Sequence, residues 1–299
     1  MKVRTTKLGD DMAEIFSVAA FIITLRETIE AALIIGILLA YLTKTQNEGL
    51  KREVWKGTGI AIALSILGAI LFEILLEGFE GTAETIFEGS VMILAAGVLT
   101  WMIIWMFHNA KYLKLELEAK VQATISGTNP YGLMLLSFVA VFREGVETVL
   151  FLAGIRSSAD RFAVLTGSVV GIGIAIILAV QLMQGTVKLN LRQFFNVTSI
   201  ILILFAAGLF SQGVHEFQEL GVFGASTVAW NKPILDLSGI LNDKTNVVGS
   251  LLRSLFGYQD KPTLLEIGAY LLYWIGIGLT YLKISKISRT YAINKVAQI

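Results

Sequence analysis

Apolar residues run along this chain in seven long blocks, separated by short polar segments. The blocks are 15–42, 57–76, 86–107, 131–155, 163–184, 193–214 and 263–282. Each approaches or exceeds the about 20 residues that a helix needs to cross a bilayer. Trp55, Trp101, Trp105 and Trp274 fall at or near block ends, where interfacial aromatics are favoured. Pro130, Pro233 and Pro262 all lie between blocks. The pattern predicts an all-α polytopic membrane protein with seven transmembrane helices.

Loop charge sets the expected orientation. With the N-terminus outside, the inner segments 43–56, 108–130, 185–192 and 283–299 hold 13 basic residues. The outer segments then hold nine, four of them in the long 215–262 loop, which counts for little. The short 77–85 loop has Glu77, Glu80 and Glu84 and no Lys or Arg. The expectation is N-out, C-in, although Lys2, Arg4 and Lys7 make the N-terminus mildly basic. No small-residue cleavage site marks a removable signal peptide.

The first six blocks read as two halves of three. Arg26-Glu27-Thr28-Ile29-Glu30 lies near the middle of the first block. Arg143-Glu144-Gly145-Val146-Glu147 lies near the middle of the fourth, 117 residues later. The next block of each half opens on a Thr-Gly pair, Thr58-Gly59 and Thr166-Gly167. His108 and His215 close the third block of each half. Because three is odd, the second half enters the membrane inverted, an arrangement that places transporter sites near the midplane. The expected layout is one membrane domain over 1–299. It comprises repeat 1 (13–110), repeat 2 (131–220), an extracytoplasmic loop (221–262), and a seventh helix with a cytoplasmic tail (263–299).

Composition narrows the classes. Of 299 residues, 55% are hydrophobic and 16% charged, and mean hydropathy is +0.71. That excludes a disordered chain. A net charge of +1 lacks the basic excess of a nucleic-acid binder. Zero cysteines exclude thiolate metal sites and thiol catalysis.

Against that apolar background, Arg26, Glu27, Glu30, Arg143, Glu144 and Glu147 occupy expensive positions. Facing lipid, six such groups would cost on the order of 15–20 kcal/mol. They must face one another or water. Spacings of i,i+3 and i,i+4 put each motif's charges on one broad helix face. Two Arg–Glu bridges would account for four charges and leave a surplus of two carboxylates. Such a surplus calls for protons or a cation, and oxygen donors suit hard ions and redox metals. A purely structural ion-pair cluster is the plainer alternative.

At these residues the chain resembles the oxidase-dependent iron transporters, the high-affinity iron permeases of fungi and their bacterial relatives. That family carries Arg-Glu-x-x-Glu, often with a central glycine, in its first and fourth spans. Arg143 to Glu147 matches in full, and Thr28 replaces the usual glycine in the first motif. Glu84-Thr85-Ile86-Phe87-Glu88-Gly89 looks like the family's acidic opening to the third span. Gly213-Val214-His215-Glu216-Phe217-Gln218-Glu219-Leu220 looks like its segment after the sixth. The resemblance implies iron import, with Glu27, Glu30, Glu144 and Glu147 as ligands. The ion would be Fe3+ or Fe2+, with ferric iron favoured, handed over by a separate oxidase or periplasmic iron-binding protein.

On this reading Glu77, Glu80, Glu84, Glu216, Glu219 and His215 gather iron outside. Glu88 passes it inward. Arg26 and Arg143 orient the central carboxylates. Glu73 serves as proton carrier or outer ligand, or is merely interfacial, and His108 stands near the exit. The lipid bilayer and the ion are the expected partners, and the seventh helix, with Gly268, Gly276 and Gly278, allows a homo-oligomer. Carriers of manganese or lead and a membrane carboxylate-bridged iron oxidase are the alternatives. The oxidase is disfavoured because neither histidine completes a Glu-x-x-His pair. One or two short amphipathic helices are expected on the outer surface within 215–262, and a surface helix inside at 111–124.

Overall fold

Side-chain caps fix where several apolar blocks become helices. Ser17 accepts from the Ala20 amide and opens α1 (Val18–Lys44). Asp160 accepts from the amides of Phe162 and Ala163 and opens α6 (Arg161–Met183). Asn190 opens α7 (Leu191–Glu219) and Asn246 opens α8 (Val247–Phe256) in the same way. Thr263 and Glu266 form a reciprocal capping box, with each backbone N–H donating to the other's side chain at 3.3 and 3.0 Å. That box starts α9 (Leu264–Val296). Between α1 and α6 lie α2 (Lys51–Glu77), α3 (Thr82–Asn109), α4 (Leu113–Ser126) and α5 (Gly132–Arg156).

This computed structural model describes residues 16–109, 113–126, 131–156, 159–185, 190–224, 228–242 and 246–296. Among these there is no strand, only an isolated bridge between Pro233 and Thr263. The first 15 residues, with Lys2, Arg4 and Lys7, lie outside the described residues, as does the side chain of His108. Four helical stretches are long and apolar enough to cross a membrane: Glu48–Glu77, Thr82–Phe107, Arg161–Met183 and Leu191–Glu219. The helices α1 and α5 have the length but carry the two charged motifs in mid-helix. The apolar part of α9 is the shorter Leu264–Thr280.

Two parallel helix pairs organise the bundle. A Cβ on Gly57 of α2 would lie 2.1 Å from the Met134 carbonyl oxygen of α5. Further along, Gly145 of α5 leaves the same kind of room for Ser65 of α2. Likewise α6 lies on α1: Gly167 touches the Ser17 carbonyl, and Gly171 sits on Phe21 and Thr24. Thr24 Oγ1 also donates to the Ser168 carbonyl at 3.3 Å. Because contacts advance together along both members, each pair is parallel. The first half of α1 meets the end of α5 in one apolar cluster and the end of α1 meets the start of α5 in another, so α1 and α5 run antiparallel.

Gly57 meets Met134 and Gly167 meets Ser17, and Met134 and Ser17 are separated by the same 117 residues as the two motifs. Gly57 and Gly167 thus take like places in the two helix pairs, whereas Gly59 has nothing within 4 Å.

A second layer is antiparallel: α3 and α7 meet where Gly89 packs on Gly213, Glu216 and Phe217. One apolar cluster joins the first half of α1, α3, the end of α5 and α7, through Ile23, Met92, Leu99, Phe151 and Phe205. Another joins the end of α1, the starts of α2 and α5, and α4, through Leu38, Leu42, Val54, Val121 and Leu133. The charged motifs lie between the two clusters. Ile66, Leu67, Ile70 and Leu71 of α2 are exposed, as are Leu165, Val169, Ile176 and Ile177 of α6, so these helices turn broad apolar faces outward.

The 111–124 prediction corresponds to α4, with an i,i+4 Lys120–Glu116 pair on its open side. The expected surface helix of the long loop is placed differently. Gly257, left-handed at φ 67°, caps α8 against the backbone of Gly208. Gly208 is 11 residues from the end of α7, about 17 Å along its axis. Leu255 packs on the first apolar cluster. Two facing glycines let this segment descend into the bundle instead of lying across it.

Gly57→Ala should destabilise the protein by about 1–3 kcal/mol, because a backbone carbonyl occupies the place of the new methyl. Gly59→Ala, with open space there, should be neutral or stabilise by up to about 1 kcal/mol. Thermal unfolding of the two variants in detergent checks the contrast.

Candidate metal centre

The charged layer is built by α1 and α5 and enclosed by α3 and α7. On α1, Arg26 has 0% exposure and Glu27 only 1%. Nη1 of Arg26 meets Glu27 Oε1 at 3.3 Å, and Nη2 meets Glu30 Oε1 at 2.9 Å. On α5, Arg143 Nε meets Glu147 Oε1 at 2.8 Å. The two arginines differ in setting. Arg143 has a side chain 38% exposed, and its guanidinium lies 5.2 Å from the ring centroid of Trp105.

One carboxylate oxygen from each of Glu27, Glu30 and Glu144 falls within 4.8 Å of the other two. Glu144 and Glu147 are also buried. Oε2 of Glu27, Glu144 and Glu147 is buried without a hydrogen-bond partner. Unpartnered buried carboxylate oxygens are costly. One oxygen each from Glu27, Glu30 and Glu144, converging from antiparallel helices, makes a set of hard donors, which is the chemistry of a cation site. Of the four motif glutamates, Glu27, Glu30 and Glu144 come together, while Glu147 is held by Arg143.

A cavity of about 510 Å³ reaches Glu30, Glu144 and Arg143 from the side where α4 lies. Its walls include Met102, Trp105 and Met106 of α3, and Arg192, Asn196 and Ser199 of α7. Nothing in the motifs announces the α3 side chains. Trp105 reads in sequence as an interfacial anchor, and a methionine in an apolar helix reads as core packing. The i,i+4 spacing of Met102 and Met106 was the available signal.

The remaining predicted residues lie at the opposite end. Glu73 joins Arg156 at 3.0 Å and Arg161 at 3.1 Å, and Glu77 joins Arg161 at 2.9 Å. Glu73, which lacks a charged counterpart when the two halves are aligned in sequence, is thus paired across them. Glu88 is half-buried one residue before Gly89, which packs on Glu216, while Glu80 and Glu84 are exposed. His215 contacts Glu219 through Nε2 at 3.2 Å and the buried Glu266 through Nδ1. Sequence reasoning missed Glu266, the capping-box carboxylate that ties α9 to α7; the Thr263-x-x-Glu266 spacing carried the signal.

A multi-pass helical membrane protein with charges gathered between antiparallel helices is the class this architecture defines. The iron permease FTR1 family matches residues 17–288, and the chain belongs to that family. It is 34% identical over 262 residues to the ferrous iron permease EfeU of Escherichia coli O6:H1 (strain CFT073), covering 85% of this chain and 91% of that protein. To the ferrous iron permease EfeU of Yersinia pestis it is 32% identical over 260 residues, covering 85% and 89%. No solved structure matches. The family and these relatives make the chain an iron-transporting permease of the plasma membrane.

Arg26→Gln should destabilise the protein by about 3–5 kcal/mol, because it strands Glu27 and Glu30 in a buried layer. Arg143→Gln, at a part-exposed pair, should cost only about 1 kcal/mol. Unfolding midpoints of the two purified variants check this difference.

Proposed function

We propose that this permease imports iron through a midplane carboxylate site formed by Glu27, Glu30 and Glu144, with Glu147 in reserve on Arg143. The observation that carries the reading is the convergence of the buried Glu27 and Glu144, each with an unpartnered oxygen, on the part-buried Glu30, reached by a cavity from one side. Seven spans in a 3+3 inverted repeat plus α9, N-out and C-in, frame that site. The two parallel pairs, α1 with α6 and α2 with α5, support the repeat, since each half lends its second helix to the other half's first. In this orientation the cavity faces the cytoplasm, and the cluster through Ile23, Met92 and Phe151 closes the outer side.

The transported ion is Fe2+ on this reading, as the relatives' names have it, in place of the ferric iron that the sequence resemblance favours. Glu80, Glu84, Glu88, Glu216, Glu219 and His215 form the outer approach. A separate periplasmic iron-binding protein supplies the ion there; an oxidase, whose product would be ferric iron, has no place on this ferrous reading. Arg26 holds the empty site together by bridging Glu27 and Glu30 and offsetting one of their two negative charges. An arriving cation competes with the guanidinium for the same oxygens, so loading the site loosens its own tether. Glu73 belongs to the outer ion-pair network with Arg156 and Arg161. The chain acts as a carrier and not as an enzyme.

Iron uptake into proteoliposomes containing Glu27→Gln, Glu30→Gln or Glu144→Gln should fall by about 100-fold or more, since each amide removes a charged donor from a buried site. Glu80→Gln, at an exposed position, should lose less than about threefold, since solvent-exposed charges act weakly. Uptake retained in all three central variants would refute the assignment.

A further inference from the structure

Nη2 of Arg26 is the meeting point of more than carboxylates. The nitrogen that holds Glu30 at 2.9 Å also donates to Met102 Sδ at 2.7 Å and Met106 Sδ at 3.4 Å. Met102 is 1% exposed, and both methionines line the cavity beside Glu30 and Glu144. At i,i+4 on α3, the two thioethers share one face. Satisfying the arginine does not explain this, because its Nε has no partner while Nη2 has three. A thioether is also a poor acceptor for a guanidinium. The arrangement gathers one carboxylate and two sulfurs around a point now occupied by positive charge.

We propose that Met102 and Met106 are soft donors to the transported ion, selecting reduced iron over harder cations. This rests on the reading that iron passes between Glu27, Glu30 and Glu144. A cation bound by those carboxylates repels the guanidinium from Nη2's position. What then surrounds that position is a mixed set of carboxylate oxygens and two thioether sulfurs. Oxygens alone serve Mg2+, Ca2+ and Mn2+ well, whereas thioethers favour softer, less charged ions. The two methionines line the same cavity as Glu30 and Glu144, so an ion leaving toward the cytoplasm passes acids and sulfurs together.

The test uses the full chain. In proteoliposomes under reducing conditions, Met102→Leu/Met106→Leu should lose about tenfold of its preference for Fe2+ over Mn2+ in direct competition. X-ray absorption at the iron edge of the Fe2+-loaded wild type should show a sulfur shell that the double variant lacks. An unchanged preference overturns the proposal, and so does a wild-type spectrum with oxygen neighbours only, a measurement that stands even if the double variant misfolds. Glu144→Gln separates the two levels of argument. If it abolishes import while the sulfur shell is missing from the wild type, only the thioether role fails. If Glu27→Gln, Glu30→Gln and Glu144→Gln all still import iron, the carboxylate reading fails and this proposal falls with it.

Discussion

The arrangement depends on one constraint: charge taken out of water must be matched within a few ångströms. Burying a single ion costs several kcal/mol even after relaxation. Arg26 is wholly buried, and it bridges Glu27 and Glu30 from the same helix. The pairing is local, so α1 carries most of its own compensation into the bundle. Glu144 arrives from α5 without an ion-pair partner of its own among the described residues. It brings the carboxylates of two helices together and leaves them in excess. A cluster serving stability alone would be served better by balanced charge or by hydrocarbon. That excess is the observation on which the proposed cation site rests.

Close backbone approach makes that convergence possible. Each charged helix is flanked by a partner helix that comes within carbonyl contact at a glycine, Gly57 on α5 and Gly167 on α1. Lipid tails are as apolar as leucine, so helices in a bilayer gain by packing and not by hiding from solvent. In α5, Gly145 likewise makes room for Ser65 of α2.

Much of this was legible in the sequence because membrane spans and charges announce themselves by cost. A run of about twenty apolar residues suits a bilayer and little else, and six charges among such runs had to find each other. The parts that stayed hidden involve residues whose types are cheap everywhere. A methionine costs nothing in a core, so Met102 and Met106 gave no sign of reaching Arg26. Glu73 looked solitary because its partners Arg156 and Arg161 follow the next motif instead of occupying an equivalent place. The depth of α8 turned on two glycines, Gly208 and Gly257, distant in sequence and ordinary in either segment.

The two motifs are nearly identical in sequence but unequal in structure, and the inequality has a direction. Arg26 is sealed, and Arg143 stands at the cavity with its side chain 38% exposed, against Trp105. Water can reach one guanidinium and not the other. An ion pair in contact with water contributes little and exchanges easily, while a sealed one is strongly held. The cluster is therefore anchored on α1 and loose on α5. Glu147 can part from the half-exposed Arg143 at smaller cost, whereas Glu27 and Glu30 change partners only when another positive charge takes the place of Arg26. On the proposed reading, a site with one fixed and one yielding wall can hold an ion and still release it, and both walls, through Glu30 and Glu144, border the open cavity.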